Sequence, residues 1–189
     1  MTPKILAFSG SARTDSYNRR ALEHAVAGAR AAGAEVSLIH LRDFSLPIYD
    51  GDLEARTGLP ASVLELKRLF KVHHGLLIAS PEYNSSISAL LKNALDWVSR
   101  AHEGESGLVP YRNKIAALVA ASTGPLGGVR GLRQLREILA VLGVLVLPGQ
   151  HTIPHAAQDL EGGREAARHA ETLAAVGAEL AAACIKWHA

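Results

Sequence analysis

The sequence is poor in cysteine and aromatic residues, carries no clear excess of either charge, and has no long apolar run. Its single cysteine, Cys184, cannot form an internal disulfide, which points to a reducing compartment and makes the cytoplasm the expected location. Twenty Lys and Arg residues face eighteen Asp and Glu, a formal net charge of +2, and the two signs are interspersed rather than blocked. Nucleic acid is therefore not an expected partner. The longest apolar stretch, Ile138 to Leu147, is interrupted by Gly143 and falls well short of the ~18 residues that cross a bilayer. No membrane partner is expected. The N-terminus shows no basic segment followed by an apolar core of signal length. No glycine-rich loop ends in Gly-Lys-Ser/Thr, and Gly124-Pro125-Leu126-Gly127-Gly128 lacks the dinucleotide-binding spacing, which excludes the common ATPase and tight-NAD patterns.

What is present is a regular alternation. Hydrophobic residues make up 48% of the 189, enough for a core, and the chain reads as one domain over 1–189. Strand-like runs at Lys4–Phe8, Glu35–His40, Gly75–Ser80, Lys114–Ala121 and Val144–Leu147 alternate with stretches of helical period at Asn18–Ala32, Ala61–Val72, Ser88–Ala101, Val129–Leu142 and Glu165–Trp187. Runs such as Gly75-Leu76-Leu77-Ile78-Ala79 are apolar at every position, as a strand covered on both faces requires. The expectation is an α/β three-layer sandwich with a five-stranded parallel sheet. Arg42 to Pro60, with Pro47, Gly51, Gly58 and Pro60, reads as a long loop.

In such a sheet, ligands sit beyond the carboxyl ends of the strands, where strand order reverses. Three loops there are rich in small or hydrogen-bonding residues: Ser9 to Asn18, Pro81 to Ile87, and Ser122 to Gly128. The first ends at a helix start, where free N–H groups and the positive dipole end favour an anion. Ser11, Ser16, Asn18 and the Arg13 guanidinium can all donate to phosphate oxygens. Ser16 or Asn18 could equally cap the helix, and the two roles can coexist. The absence of cysteine from this loop removes a thiolate phosphatase.

These loops carry a resemblance. Gly10-Ser11-x-Arg13-x-x-Ser16-x-Asn18, then Pro81-Glu82-Tyr83-Asn84, then Ser122-Thr123-Gly124-x-x-Gly127-Gly128-x-Arg130 together resemble the NADPH-dependent FMN reductase family, which includes quinone, azo-dye and chromate reductases. The resemblance implies a flavodoxin-like fold with strand order 2-1-3-4-5, FMN as cofactor, and NADPH or NADH as co-substrate. It implies an oxidoreductase that passes reducing equivalents to flavin, quinone, azo or metal-ion acceptors by ping-pong hydride transfer. It assigns Ser11, Arg13, Ser16 and Asn18, with neighbouring Ser9 and Tyr17, to the phosphate end. Pro81, Glu82, Tyr83 and Asn84 fall to the ribityl chain and ring, and Ser122, Thr123 and Gly124 to the ring's other edge. Gly124, Gly127 and Gly128 leave room for close approach, although Gly127-Gly128 also suits a plain turn before a helix. No catalytic proton donor is implied.

The alternative is a flavodoxin-type electron carrier with no turnover of its own. Such carriers have acidic surfaces and aromatic residues flanking the ring, whereas this chain is near neutral with 5% aromatics. A signalling receiver would need clustered acids after the first strand, where this loop is basic and polar. Leu90, Leu91, Ala94, Leu95, Trp97 and Val98 wrap around more than one helix face, and the excess could bury a partner, so a homodimer or homotetramer is expected. Nine histidines suggest no metal site: His73 and His74 are adjacent, and Pro154 lies between His151 and His155. Cys184 reads as a buried filler. Arg130, Arg133 and Arg136 read as a solvated helix face or a grip on a nucleotide phosphate.

Overall fold

A computed structural model describes residues 1–189. Five parallel strands form its sheet: β1 (Lys4–Ser9), β2 (Glu35–His40), β3 (Gly75–Ala79), β6 (Ile115–Ala121) and β7 (Leu145–Ile153). A hairpin of β4 (Glu82–Tyr83) and β5 (Ser86–Ile87) stands apart from it. The spatial order β2-β1-β3-β6-β7 is 2-1-3-4-5 when only the sheet strands are counted, as expected.

β1, β3 and β6 are buried almost throughout because alternate residues feed two cores. Ile5, Ala7, Leu77, Ala117 and Val119 pack under α1 (Tyr17–Ala31) and α7 (Gly163–Trp187), with Ala156 of the short α6 (Ala156–Asp159) in the same cluster. Leu6, Phe8, Leu76, Ile78 and Leu118 pack under α3 (Ala61–Val72), α4 (Ala89–Val98) and α5 (Val129–Val141). The two clusters hold 22 and 20 buried residues, so neither sheet face is left to water and the apolar strands are satisfied on both sides.

Besides the hairpin, which the sequence reading took as a loop, three features depart from that reading. First, the last strand does not stop at Leu147. It runs on to Ile153 through Pro148, and the register against β6 shifts between Ala116 and Leu118. Pro148 has no N–H to donate, and an edge-strand irregularity is where a proline fits. Second, Arg42–Pro60 is not one loop. It begins within a 3-10 turn at Leu41–Asp43 and contains helix α2 (Gly51–Thr57). The Asp50 carboxylate accepts from the N–H groups of Asp52 and Leu53, acids fill the first turn, Arg56 lies in the last, and Gly58 closes it at φ 69°.

Third, the apolar surplus of α4 is covered by the chain itself. Leu91, Ala94, Leu95, Trp97 and Val98 are all buried. Pro47 and Tyr49 fold across the helix: Trp97 Nε1 and Asn93 Nδ2 donate to the Pro47 carbonyl at 2.7 and 2.9 Å, and Tyr49 N donates to Asn93 Oδ1 at 2.8 Å. Tyr49 meets the Trp97 ring edge-on, centroids 5.0 Å apart. Arg100 lies over the Tyr49 ring and pairs with Glu54 of α2 at 2.9 Å. The breadth of this apolar face is thus explained without a second subunit. No helix is long and apolar enough to cross a membrane.

Candidate functional site

The carboxyl ends of β1, β3 and β6 meet at a cleft of about 120 Å³, on the strand-order reversal. The loop after β1 supplies Ser11, Arg13 and Ser16, and the start of α1 adds Tyr17 and Asn18. Pro81, Glu82 and Tyr83 border it from the hairpin, and Ala121, Ser122 and Thr123 from the end of β6. Ten of the fourteen residues singled out in the sequence therefore line one hollow.

The loop after β1 is wound by its own hydroxyls. Ser9 Oγ accepts from Ser11 N at 3.2 Å, and Ser11 Oγ from Arg13 N at 3.4 Å. Ser16 is the N-cap of α1, accepting from Arg19 N at 3.3 Å. Gly10 N is held by the Ala79 carbonyl, and the Ser88 hydroxyl, which also caps α4, donates to Gly10 O at 2.6 Å. The first turn of α1 contains no acid, so nothing in the helix itself offsets its positive end. The Arg13 guanidinium is exposed, makes no hydrogen bond within the chain, and borders two further hollows beside the main cleft. One of these is mainly apolar and reaches from Gly10 and Ala12 to Tyr83 and Leu90. Free N–H groups, a helix N-terminus and an unpartnered arginine together suit a dianion.

Four expected residues stand outside the cleft. Ser9 lies beneath it, engaged with Ser11 N. Asn84 is at the tip of the hairpin, where it and Ser85 have φ of 50° and 66°, the left-handed pair of a two-residue turn. Gly124 receives bonds at its carbonyl from Gly127 N and His155 N. Gly127, at φ 62°, packs against Ile153 and Pro154, where a Cβ would lie 2.9 Å from Pro154 N. The room at Gly127 is filled by the end of β7 and not left for a ring.

Two residues inside the cleft have other commitments. The Asn18 amide bonds both ways to Ala121, Nδ2 donating to its carbonyl at 2.8 Å and Oδ1 accepting from its N–H at 2.9 Å. It ties α1 to β6, and one N–H remains for a ligand. Glu82 borders the cleft but turns its carboxylate to α5, accepting from Gly131 N at 2.9 Å and from Arg130 at 2.7 Å. Burial alone would raise its pKa, but the Gly131 N–H and Arg130 outweigh burial and hold the carboxyl below the usual carboxylate range. Arg130 is therefore held by Glu82 and does not stand free on its helix, with 55% of its side chain still exposed. Arg136 donates to the carbonyls of Val146 and Leu147, anchoring the irregular stretch of β7. Ala121 went unnoticed in the sequence because a lone alanine carries no chemical signal; its backbone is what matters.

Three of the histidines, His73, His151 and His169, are engaged within the fold. His73 bonds Leu69 O and Ser37 Oγ, while His151 Nε2 meets His169 Nδ1 at 2.8 Å. Burial, then the neighbouring His169 and Arg168, push the His151 pKa below its ordinary value, and burial does the same at His73. The fold thus favours neutral rings, whereas the unfolded chain takes up protons below about pH 6.5. This stability contribution is complete above that pH and is lost as pH falls toward the depressed native values. The urea midpoint is expected to drop between pH 7.5 and pH 5.5, and a His151→Gln variant should show a smaller drop.

A doubly wound sheet of this order, with a polar cleft at its reversal point, defines the flavodoxin-like class of α/β proteins. Solved structures agree: a flavoenzyme NAD(P)H:(acceptor) oxidoreductase from Paracoccus denitrificans superposes with a TM-score of 0.76 at 24% identity, covering 96% of this chain and 98% of that one. An archaeal flavodoxin gives 0.60 at 13% identity, covering 96% and 98%. The family model for NADPH-dependent FMN reductase matches residues 3–158, and the chain belongs to that family. Over 127 residues it is 38% identical to an NAD(P)H-dependent FMN reductase of Pseudomonas aeruginosa and 32% identical to a quinone reductase of Escherichia coli K12. The match takes in 67% of this chain and 64% of the length of each relative.

Proposed function

We propose that this chain binds FMN in the cleft and is an NAD(P)H-dependent oxidoreductase acting on small acceptors of the quinone, flavin, azo or metal-ion kind. The observation that carries this reading is the unpartnered Arg13 beside the acid-free first turn of α1, at the strand-order reversal of a chain of this family. Bound there, FMN would supply hydride-accepting and hydride-donating chemistry. Ser11, Ser16, Arg13 and the first N–H groups of α1 would hold its phosphate, with Asn18 adding one N–H. Pro81 and Tyr83 would line one side of the ring and Ser122 and Thr123 the other. Tyr83 is 51% exposed at the rim, so its ring is free to meet a planar guest. The mainly apolar hollow between Tyr83 and Leu90 offers one shared landing place for nicotinamide and acceptor in turn, which supports ping-pong kinetics. No side-chain acid stands ready to give a proton in the cleft, since Glu82 is ionised and turned away.

On this reading the 189 residues act as one FMN-binding domain, in the cytoplasm, as a homodimer or homotetramer. Support for assembly is the family membership together with the exposed apolar side chains of Tyr83, Leu126 and Val129. Anaerobic stopped-flow reduction by NADPH and NADH, followed by mixing with quinone, azo and ferric acceptors, tests the reading. Rapid bleaching and parallel double-reciprocal plots are expected. Bleaching by neither nucleotide would leave the flavodoxin-type carrier instead.

A further inference from the structure

The hairpin β4–β5, one wall of the cleft, pairs with no strand of the main sheet, so something else must hold it in place. A two-residue strand on each side of a turn has too few backbone bonds to stand alone. Helix α5 holds it. Gln134 Nε2 donates to Ser85 O at 2.9 Å, and the Ser86 hydroxyl donates to Gln134 Oε1 at 2.5 Å. Glu82 makes the remaining contacts, to Gly131 N and to Arg130 through both Nε and Nη2.

The N-cap of α5 is Gly128, which is in the left-handed region at φ 96° and offers no side chain to cap the helix, and the first turn holds no acid. The carboxylate of Glu82 takes over that function from another element, where charge and dipole reinforce each other. Gly131 makes this possible: a Cβ there would lie 3.4 Å from Glu82 Cβ and 3.3 Å from Ser86 O. The Glu82 side chain is only 7% exposed, so its charge is balanced by these partners and little by water.

The geometry points to Glu82 as a positioning residue: it fixes the Pro81–Tyr83 wall against the start of α5, and thereby sets where a flavin ring lies, without touching the ring by its carboxylate. This rests on the FMN reading above. Glu82→Gln keeps the shape but puts an NH2 group against either Gly131 N–H or Arg130, so one donor faces another. Arg130→Ala removes one partner and leaves Gly131 N bonded, so it tests the same clamp if Glu82→Gln fails to fold.

The experiment titrates apoprotein with FMN and with riboflavin, records the visible circular dichroism of the bound flavin, and follows amide hydrogen exchange at Tyr83–Ser86 in the apoprotein. Glu82→Gln is expected to weaken both flavins equally, by roughly tenfold, to change the flavin dichroism, and to speed exchange in the hairpin; Arg130→Ala should do the same to a smaller degree. Lower thermal stability with unchanged flavin affinities and dichroism would overturn the proposal, leaving Glu82 as a helix cap only. If the unmutated protein binds neither flavin, the reading of the cleft falls first and this inference with it.

Discussion

Arg13→Ala is expected to weaken FMN binding by roughly ten- to a hundredfold while leaving riboflavin binding almost unchanged. A hydrogen bond to a charged group is worth ~1.5–3 kcal/mol, and ~1.4 kcal/mol corresponds to a factor of ten. The guanidinium has no partner within the chain, so its removal disturbs no internal bond and the fold should survive. Its backbone N–H, held by Ser11 Oγ, is untouched, and the loop should keep its shape. Titrating both flavins by fluorescence quenching separates the outcomes. Loss of both affinities would signal a collapsed cleft, and loss of neither would leave Ser11, Ser16 and the first turn of α1 to hold the phosphate alone. The pattern differs from that expected of Glu82→Gln, which acts on the wall beside the ring and so on both flavins.

Trp97→Ala is expected to cost about 3–5 kcal/mol of folding stability, the usual range for deleting a large buried aromatic side chain. Trp97 is wholly buried, and it joins α4 to the segment that crosses it through Pro47 and Tyr49. Trp97→Phe should cost less than Trp97→Ala: it loses the Nε1 hydrogen bond, about 1 kcal/mol, and the packing of the smaller part of the ring, while Asn93 still donates to the Pro47 carbonyl. Urea unfolding with unchanged slope measures both. A stable Trp97→Ala whose light scattering showed a smaller particle would instead place the residue at a subunit contact.

The strands were legible because β1, β3 and β6 are apolar at nearly every position, and only a sheet covered on both faces tolerates that pattern. α2 was missed although its signals are local: Asp50 before Gly51, acids at Asp52 and Glu54, Arg56, then Gly58. Pro47 and Pro60 on either side made the whole stretch read as a loop. The hairpin was missed because two residues per strand are too few to display a period of two. The end of β7 was missed because Pro148 and Gly149 look like a stop, while an edge strand needs no N–H at an irregular position.

The functional loops stood out by residue type, and ten of the fourteen chosen residues do border one cleft. Type does not give direction. Asn18 and Ala121 are 103 positions apart, and nothing near either says that they meet. Glu82 lies in a run that reads as a ligand site, yet its carboxylate is drawn to α5, where free N–H groups and Arg130 lie. The apolar breadth of α4 was equally visible, but whether a partner or the chain itself covers it depends on where Pro47 and Tyr49 fold. Sequence by itself determined the alternation of elements, the apolar strands and the polar loops at one end of the sheet, because these follow from local periodicity and composition. The tertiary structure decided which polar groups are spent on holding the fold and which are left free for a ligand, because a hydrogen bond between distant residues depends on how the layers pack.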